Sequence, residues 1–156
     1  MKTLEEITYD AGRAALADQE SIVSGIRQRT GTLLAAQALV ASFLGAAAIK
    51  EHGFHHWEQG AVAALVLGLV VAAIVLAPWE MKFAVDAREL YAELFDQASA
   101  EAEHDTLGWL AAAAFGYQDL RVENAGRVRW MSRLSGLLGI LMVAQTILWL
   151  AALRLH

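Results

Sequence analysis

Between Thr32 and Pro78 the chain carries two long apolar runs, TLLAAQALVASFLGAAAIK and GAVAALVLGLVVAAIVLAP, separated by EHGFHHWEQ. Neither run holds an Asp, Glu, Lys or Arg before its end. A helix of about 18 apolar residues rises roughly 27 Å, close to the thickness of a hydrocarbon core. Lipid offers no water to backbone N–H and C=O groups, so each must bond within its own helix. The stretch therefore predicts a transmembrane helical hairpin, with spans at about 32–49 and 60–78. A buried hairpin in a soluble bundle is the competing reading, but soluble helices keep a polar face. Trp57 and Trp79 bracket the second run, roughly 33 Å apart along a helix, which suits the two headgroup levels.

A third run, LSGLLGILMVAQTILWLAAL at 134–153, is uncharged and long enough to cross. Trp149 is expected at its far interface. Hydrophobic residues at 57% and a mean hydropathy of +0.40 agree with a membrane class. The absence of Cys excludes disulfides and thiolate metal sites. A formal charge of −5 argues against nucleic-acid binding by bulk electrostatics. The acidic start, MKTLEEITYD, does not read as a signal peptide.

The rest reads as cytosolic helix. Over 3–30, Leu4, Ile7, Ala11, Ala15, Ile22 and Ile26 recur at three-to-four spacing with charges elsewhere and predict an amphipathic helix. Gly12 and Gly25 weaken it. Residues 80–133 predict a long helical hairpin. Phe83, Ala87, Leu90, Tyr91, Leu94 and Ala98 mark its first arm. His104-Asp105-Thr106 marks the turn, and Leu107 to Met131 the second arm. The whole chain, 1–156, thus reads as one all-α membrane domain: three transmembrane helices, a cytosolic hairpin and an N-terminal amphipathic helix.

Charge sets the expected orientation. Arg27, Arg29, Lys82, Arg127, Arg129 and Arg133 flank the spans on one side, Lys50 and Arg154 on the other. The positive-inside preference places the N-terminus and the 79–133 hairpin in the cytoplasm, with His52–Glu58 and the C-terminus outside.

Two clusters raise the question of metal. Glu51, His52, His55, His56 and Glu58 lie in the loop between the first two spans; Glu101, Glu103, His104 and Asp105 lie at the hairpin turn. Neither matches a zinc-ligand spacing, and solvated loop residues are the simpler reading of both. No catalytic motif is present, no cofactor is implied, and the expectation is a protein that is not an enzyme.

Small residues at four-residue spacing, Gly60, Ala64, Gly68 and Ala72, let membrane helices approach closely. Gln37, Ser42, Gln145 and Thr146 are the clearly polar side chains well inside the spans. Ser42 and Gln145 each lie roughly 15 Å from the inner edge, a shared depth that lets them face one another across a bundle or line a common path. They read either as interhelix glue or as a pore lining. Arg121, Arg127, Arg129 and Arg133 form the basic part of the hairpin. Guanidinium forks match phosphate oxygens, so these four are candidates for an anionic ligand; lipid snorkelling or pairing with Glu101 and Glu103 competes.

The tail ending in RQRTGTLLAAQALVASFLG, the tight hairpin of spans and the long cytosolic helix that follows resemble the SLATT-type proteins. They are similar also to the related small bacterial transmembrane effectors of nucleotide-signalling antiphage systems. The resemblance implies a homo-oligomer in the bacterial inner membrane, acting on the lipid bilayer by pore formation or disruption. It implies control by a nucleotide or oligonucleotide second messenger made by a partner nucleotidyltransferase. The third span departs from the two-span pattern of those families. Two other classes stay open: a non-catalytic helical scaffold that assembles other membrane proteins, and a small channel or transporter.

Overall fold

The computed structural model describes residues 2–52, 56–83 and 106–154, and the regular structure among them is helical throughout. Helix α1 (Leu4–Val40) passes through a π-helical turn, Ala41–Gly45, into α2 (Ala46–His52). Helix α3 spans His56–Leu76 and α4 spans Thr106–Arg154. Among the described residues three helical stretches are long and apolar enough to cross a membrane: Leu4–Lys50, His56–Leu76 and Gly108–Arg154. The chain is an all-α membrane protein.

The helix ends follow from local chemistry. Thr3 and Glu6 form a reciprocal capping box: the Glu6 amide donates to Thr3 Oγ1 at 3.3 Å, and the Thr3 amide to Glu6 Oε2 at 2.9 Å. Glu5 and Glu6 also place negative charge at the helix N-terminus. At the other end of the hairpin, Pro78 lacks an N–H and disfavours helix at Ala77, so α3 stops at Leu76.

Residues 80–83, expected as helix, are not helical. Their carbonyls bond to α4 side chains instead: Asn124 Nδ2 donates to Lys82 O at 2.8 Å, and Arg127 Nη1 to Glu80 O at 2.9 Å. The rest of the expected first arm and the turn at 104–105 lie outside the described residues.

The amphipathic helix and first span are one helix across Gly25, Thr30 and Gly31, and α4 runs without interruption through 133–134. Thr30 shows why. Its side chain is fully buried and its Oγ1 donates to Ser135 Oγ at 3.2 Å, so packing overrides a weak local propensity.

The chain divides into two compact units, and α1 and α4 contribute to both. Unit 1 comprises Met1–Val23 and Trp79–Val128. Here α1 and α4 run parallel: Gly12 backs onto Ala114 and Tyr117, and Gln19 Nε2 donates to Arg121 O at 3.2 Å. Tyr9 and Tyr117 meet edge to face with centroids 5.6 Å apart. A Cβ on Gly12 would stand 3.3 Å from Ala114 O, so the small residue expected to weaken the helix is where the neighbouring backbone comes close.

Unit 2 comprises Ser24–Pro78 and Arg129–His156. Again α1 and α4 are parallel, joined at Thr30–Ser135 and Gln37–Gln145. Helix α3 runs antiparallel to both, as Arg27–Ala77 and Gln37–Ala64 require. Two apolar layers stand out in its core among the described residues. Val71, Ala72 and Leu138 form one; Ala48, Ala61, Trp149 and Ala152 form the other.

The buried face of α1 is not its apolar stripe. Leu4 and Ile7 are 75% and 52% exposed. Leu16, Val23, Thr30 and Gln37 are buried instead, at strict seven-residue steps with Gln19 between. Two of these four are polar, so apolar periodicity points elsewhere. Seven residues beyond Gln37 is Leu44, yet Gly45 is the buried residue. The π-turn inserts one extra residue and advances the buried face by one position. Trp149 is also displaced from its expected role: it is 2% exposed and packs inside the bundle, against Gly45, rather than facing a headgroup layer.

Candidate functional site: polar layers in the membrane bundle

Seven polar or charged residues are buried among the described residues, and five belong to unit 2: Thr30, Gln37, Glu58, Ser135 and Gln145. They occur at separate levels. The Thr30–Ser135 hydroxyl pair lies nearest the arginine-rich end, where Arg27 Nη2 also donates to Ala77 O at 3.4 Å and so caps the C-terminus of α3. Helix rise puts Gln37 about 10 Å further along α1.

At that level two amides tie the three helices together. Gln145 Nε2 donates to the backbone carbonyl of Gln37 at 3.3 Å, and Gln37 Nε2 donates to Ala64 O at 3.3 Å. Both side chains are fully buried, and the side-chain oxygen of each has no hydrogen-bond partner. Gly68 makes the room: a Cβ there would lie 2.8 Å from Gln37 Cδ. Glu58, in the first turn of α3, is fully buried as well. It lies six residues, or about 9 Å, from Ala64 toward the opposite end.

The expected polar set thus divides. Gln37 and Gln145 come together. Ser42 does not face Gln145: it is exposed, and its Oγ donates to Ala38 O at 2.9 Å on its own helix. Thr146 is half-buried and bonds back to Met142 O in the same way. The extended amides reach a neighbouring helix, whereas the Ser42 and Thr146 hydroxyls, with no hydroxyl opposite as Thr30 has in Ser135, bond to the carbonyl four residues back. Depth counting missed this because it takes no account of helix rotation.

The four candidate arginines, Arg121, Arg127, Arg129 and Arg133, are all exposed. Arg127 is engaged with Glu80 O and stands 4.0 Å from Glu123. Arg121 supplies its carbonyl to Gln19. Arg129 and Arg133, both in unit 2, are one helical turn apart on α4.

The loop between the first two spans is shorter than expected. Helix α2 reaches His52 and α3 begins at His56; residues 53–55 lie outside the described residues, as do Glu101, Glu103, His104 and Asp105. Of that loop cluster, His56 is exposed and Glu58 is buried on the helix. Among the described residues no three His, Asp or Glu side chains group as metal ligands.

Sequence reasoning passed over Thr30 and Glu58 as interior residues. The seven-residue series through Leu16, Val23 and Gln37 was the available signal for Thr30. Comparison with protein-family models, curated proteins and solved structures found no match to this chain.

Proposed function

We propose that the protein is a homo-oligomeric effector of the bacterial inner membrane. It perturbs or permeabilises the bilayer as an antiphage response, under control of a nucleotide ligand. The reading rests on the resemblance of the 27–45 stretch and of the layout to small effectors of nucleotide-signalling systems. One structural observation carries it: a small three-helix membrane unit with buried polar groups at several levels, in a chain whose α1 and α4 extend well beyond the spans. Intramembrane polar groups are costly and mark transport or relay sites more than simple anchors do.

Self-association is supported by large apolar side chains exposed in unit 1, including Leu4, Ile7, Phe115 and Val122. Exposed guanidinium groups of Arg121, Arg127, Arg129 and Arg133 provide forked donors for nucleotide phosphates. The N-terminus is assigned to the cytoplasm by the positive-inside preference.

The test is expression in bacteria with a membrane-potential dye, with and without a co-expressed nucleotidyltransferase. Depolarisation that depends on the nucleotide is expected. Polarised membranes under every trigger would leave the scaffold reading in its place. Single cysteines, Lys2→Cys and Lys50→Cys, check the orientation: an impermeant thiol reagent should label position 50 on intact cells and spare position 2.

A further inference from the structure

The lipid-facing surface of the spans is apolar. Leu39, Phe43, Val66, Leu69, Ile140 and Val143 are all about half exposed or more. The exposed hydroxyls of Thr32 and Ser42 are turned back to Gln28 O and Ala38 O of their own helix. A water-filled lumen between copies would therefore be lined with hydrocarbon. The polar groups are inside each protomer, in unit 2.

Resting on the effector reading above, we propose that the permeant species is the proton, and that it crosses through the interior of the single bundle. The path runs from Thr30–Ser135 past Gln37–Gln145 to Glu58.

Three observations lead there. First, Gln37 and Gln145 each donate one amide N–H to a backbone carbonyl and keep a buried oxygen without a donor. Such oxygens accept from a water molecule or a hydronium ion, and a buried water needs two or more polar partners. Second, Glu58 sets a group that can take and return a proton inside the same bundle. The carboxylate accepts a proton from water at its end of the bundle and becomes the neutral acid. It then releases that proton to water beside the amides, and no other bond changes. Third, the layer of Val71, Ala72 and Leu138 separates the amide level from the hydroxyl pair. A hydrated metal cation needs a lumen that this packed layer lacks, whereas a proton needs a transient file of water molecules. The apolar layer is the gate, since it interrupts the file until the helices separate; the layer of Ala48, Ala61, Trp149 and Ala152, between the amides and Glu58, offers the file one polar atom, the buried Trp149 Nε1, which has no hydrogen-bond partner.

The experiment uses the full chain in vesicles of phosphatidylethanolamine and phosphatidylglycerol. These hold a pH-sensitive dye together with carboxyfluorescein, and valinomycin is added to relieve charge build-up. Leu138→Asn puts a hydrogen-bonding side chain into the apolar layer and should give a proton leak without any trigger, with carboxyfluorescein retained. Adding Glu58→Gln should abolish that leak, and Glu58→Asp should restore part of it. In the unsubstituted chain a lipid-soluble carbodiimide, which reacts with the protonated acid, should modify Glu58. A leak unaffected by Glu58→Gln would overturn the interior path. So would L138N vesicles no leakier to protons than protein-free ones, or failure of Glu58 to react. Release of carboxyfluorescein alongside protons would also overturn it while leaving the effector reading standing. That reading fails separately, on the absence of depolarisation in cells.

Discussion

The side chain of Gln37 occupies the space that a methyl group on Gly68 would need. A Cβ built on Gly68 lies 2.8 Å from Gln37 Cδ, and its amide nitrogen and oxygen are closer still. The glycine lets α3 approach α1 so that Gln37 Nε2 reaches Ala64 O, one turn earlier on α3. A small residue in one helix thereby permits a polar contact from the next, in a medium where polar contacts replace the hydrophobic drive between helices.

Gly68→Ala should destabilise unit 2 by about 1–3 kcal/mol, the usual cost of overpacking a close contact. The Gln37 amide is the flexible partner, but moving it breaks its bond to Ala64 O. In a Gln37→Ala background the same glycine substitution should cost much less. Reversible unfolding in detergent–denaturant mixtures, run as a double-mutant cycle, measures the coupling. Additive effects would show that the two positions do not interact.

The π-turn makes a prediction of opposite sign. It adds one residue ahead of Gly45, whose Cβ would stand 3.0 Å from Trp149 Cζ2. Phe43 is 73% exposed within the turn. Its deletion should convert Ala41–Gly45 to ordinary α-helix and keep Gly45 against Trp149, seven residues after Gln37. Stability should change little. Deleting Leu67 from α3, which has no such extra residue, rotates the helix by about 100° on one side of the cut and should disrupt folding. Thermal unfolding of the two deletions, with tryptophan fluorescence as the probe, compares them.

The helical class, the three spans and the stop at Pro78 were legible because each depends on composition or on a single residue's covalent geometry. The buried faces were not. On α1 the exposed Leu4 and Ile7 and the buried Thr30 and Gln37 run against the assumption that apolar means inside. A membrane span presents apolar side chains to lipid and can reserve its interior for polar ones, so the hydrophobic stripe loses its meaning there. Ser42 and Gln145 share a depth but not a direction, and the π-turn shifts helical phase without any Pro or Gly pair to announce it. The interior became readable only through heptad spacing, which marks contact between helices whatever the polarity of the residue.

The Tyr9–Tyr117 contact predicts a pH response for unit 1. The Tyr117 phenol is held above its ordinary value of 10.0, first by its hydrogen bond to Tyr9 and then by burial, with Arg13 opposing. A group whose pKa is raised on folding contributes stability that is fully present below its unfolded pKa and is lost as pH rises through the folded one. Unit 1 should therefore weaken above about pH 10. Tyr117→Phe should flatten that decline. Absorbance titration of tyrosinate, compared with helix content by circular dichroism, tests both points.

The last prediction concerns Arg129 and Arg133, which are exposed and lie one turn apart on α4 within unit 2. If this pair binds the phosphates of a nucleotide, reversing both to Glu replaces attraction by repulsion and should abolish nucleotide binding. Lipid phosphate would be lost by the same substitution, so the two sources of phosphate must be separated. Isothermal titration in neutral detergent, without anionic lipid, isolates the nucleotide. Flotation with phosphatidylglycerol vesicles at rising salt isolates the lipid, because a surface interaction between exposed charges weakens as the Debye length falls. Loss of nucleotide binding together with retained membrane insertion is the expected result. The double variant binding nucleotide as well as the unsubstituted chain does would remove the pair from the ligand site. Its folded state can be checked by the Thr30–Ser135 contact, which lies on a neighbouring turn and involves neither arginine. A disulfide formed between Thr30→Cys and Ser135→Cys in the charge-reversed chain would show that α1 and α4 still pack at that level.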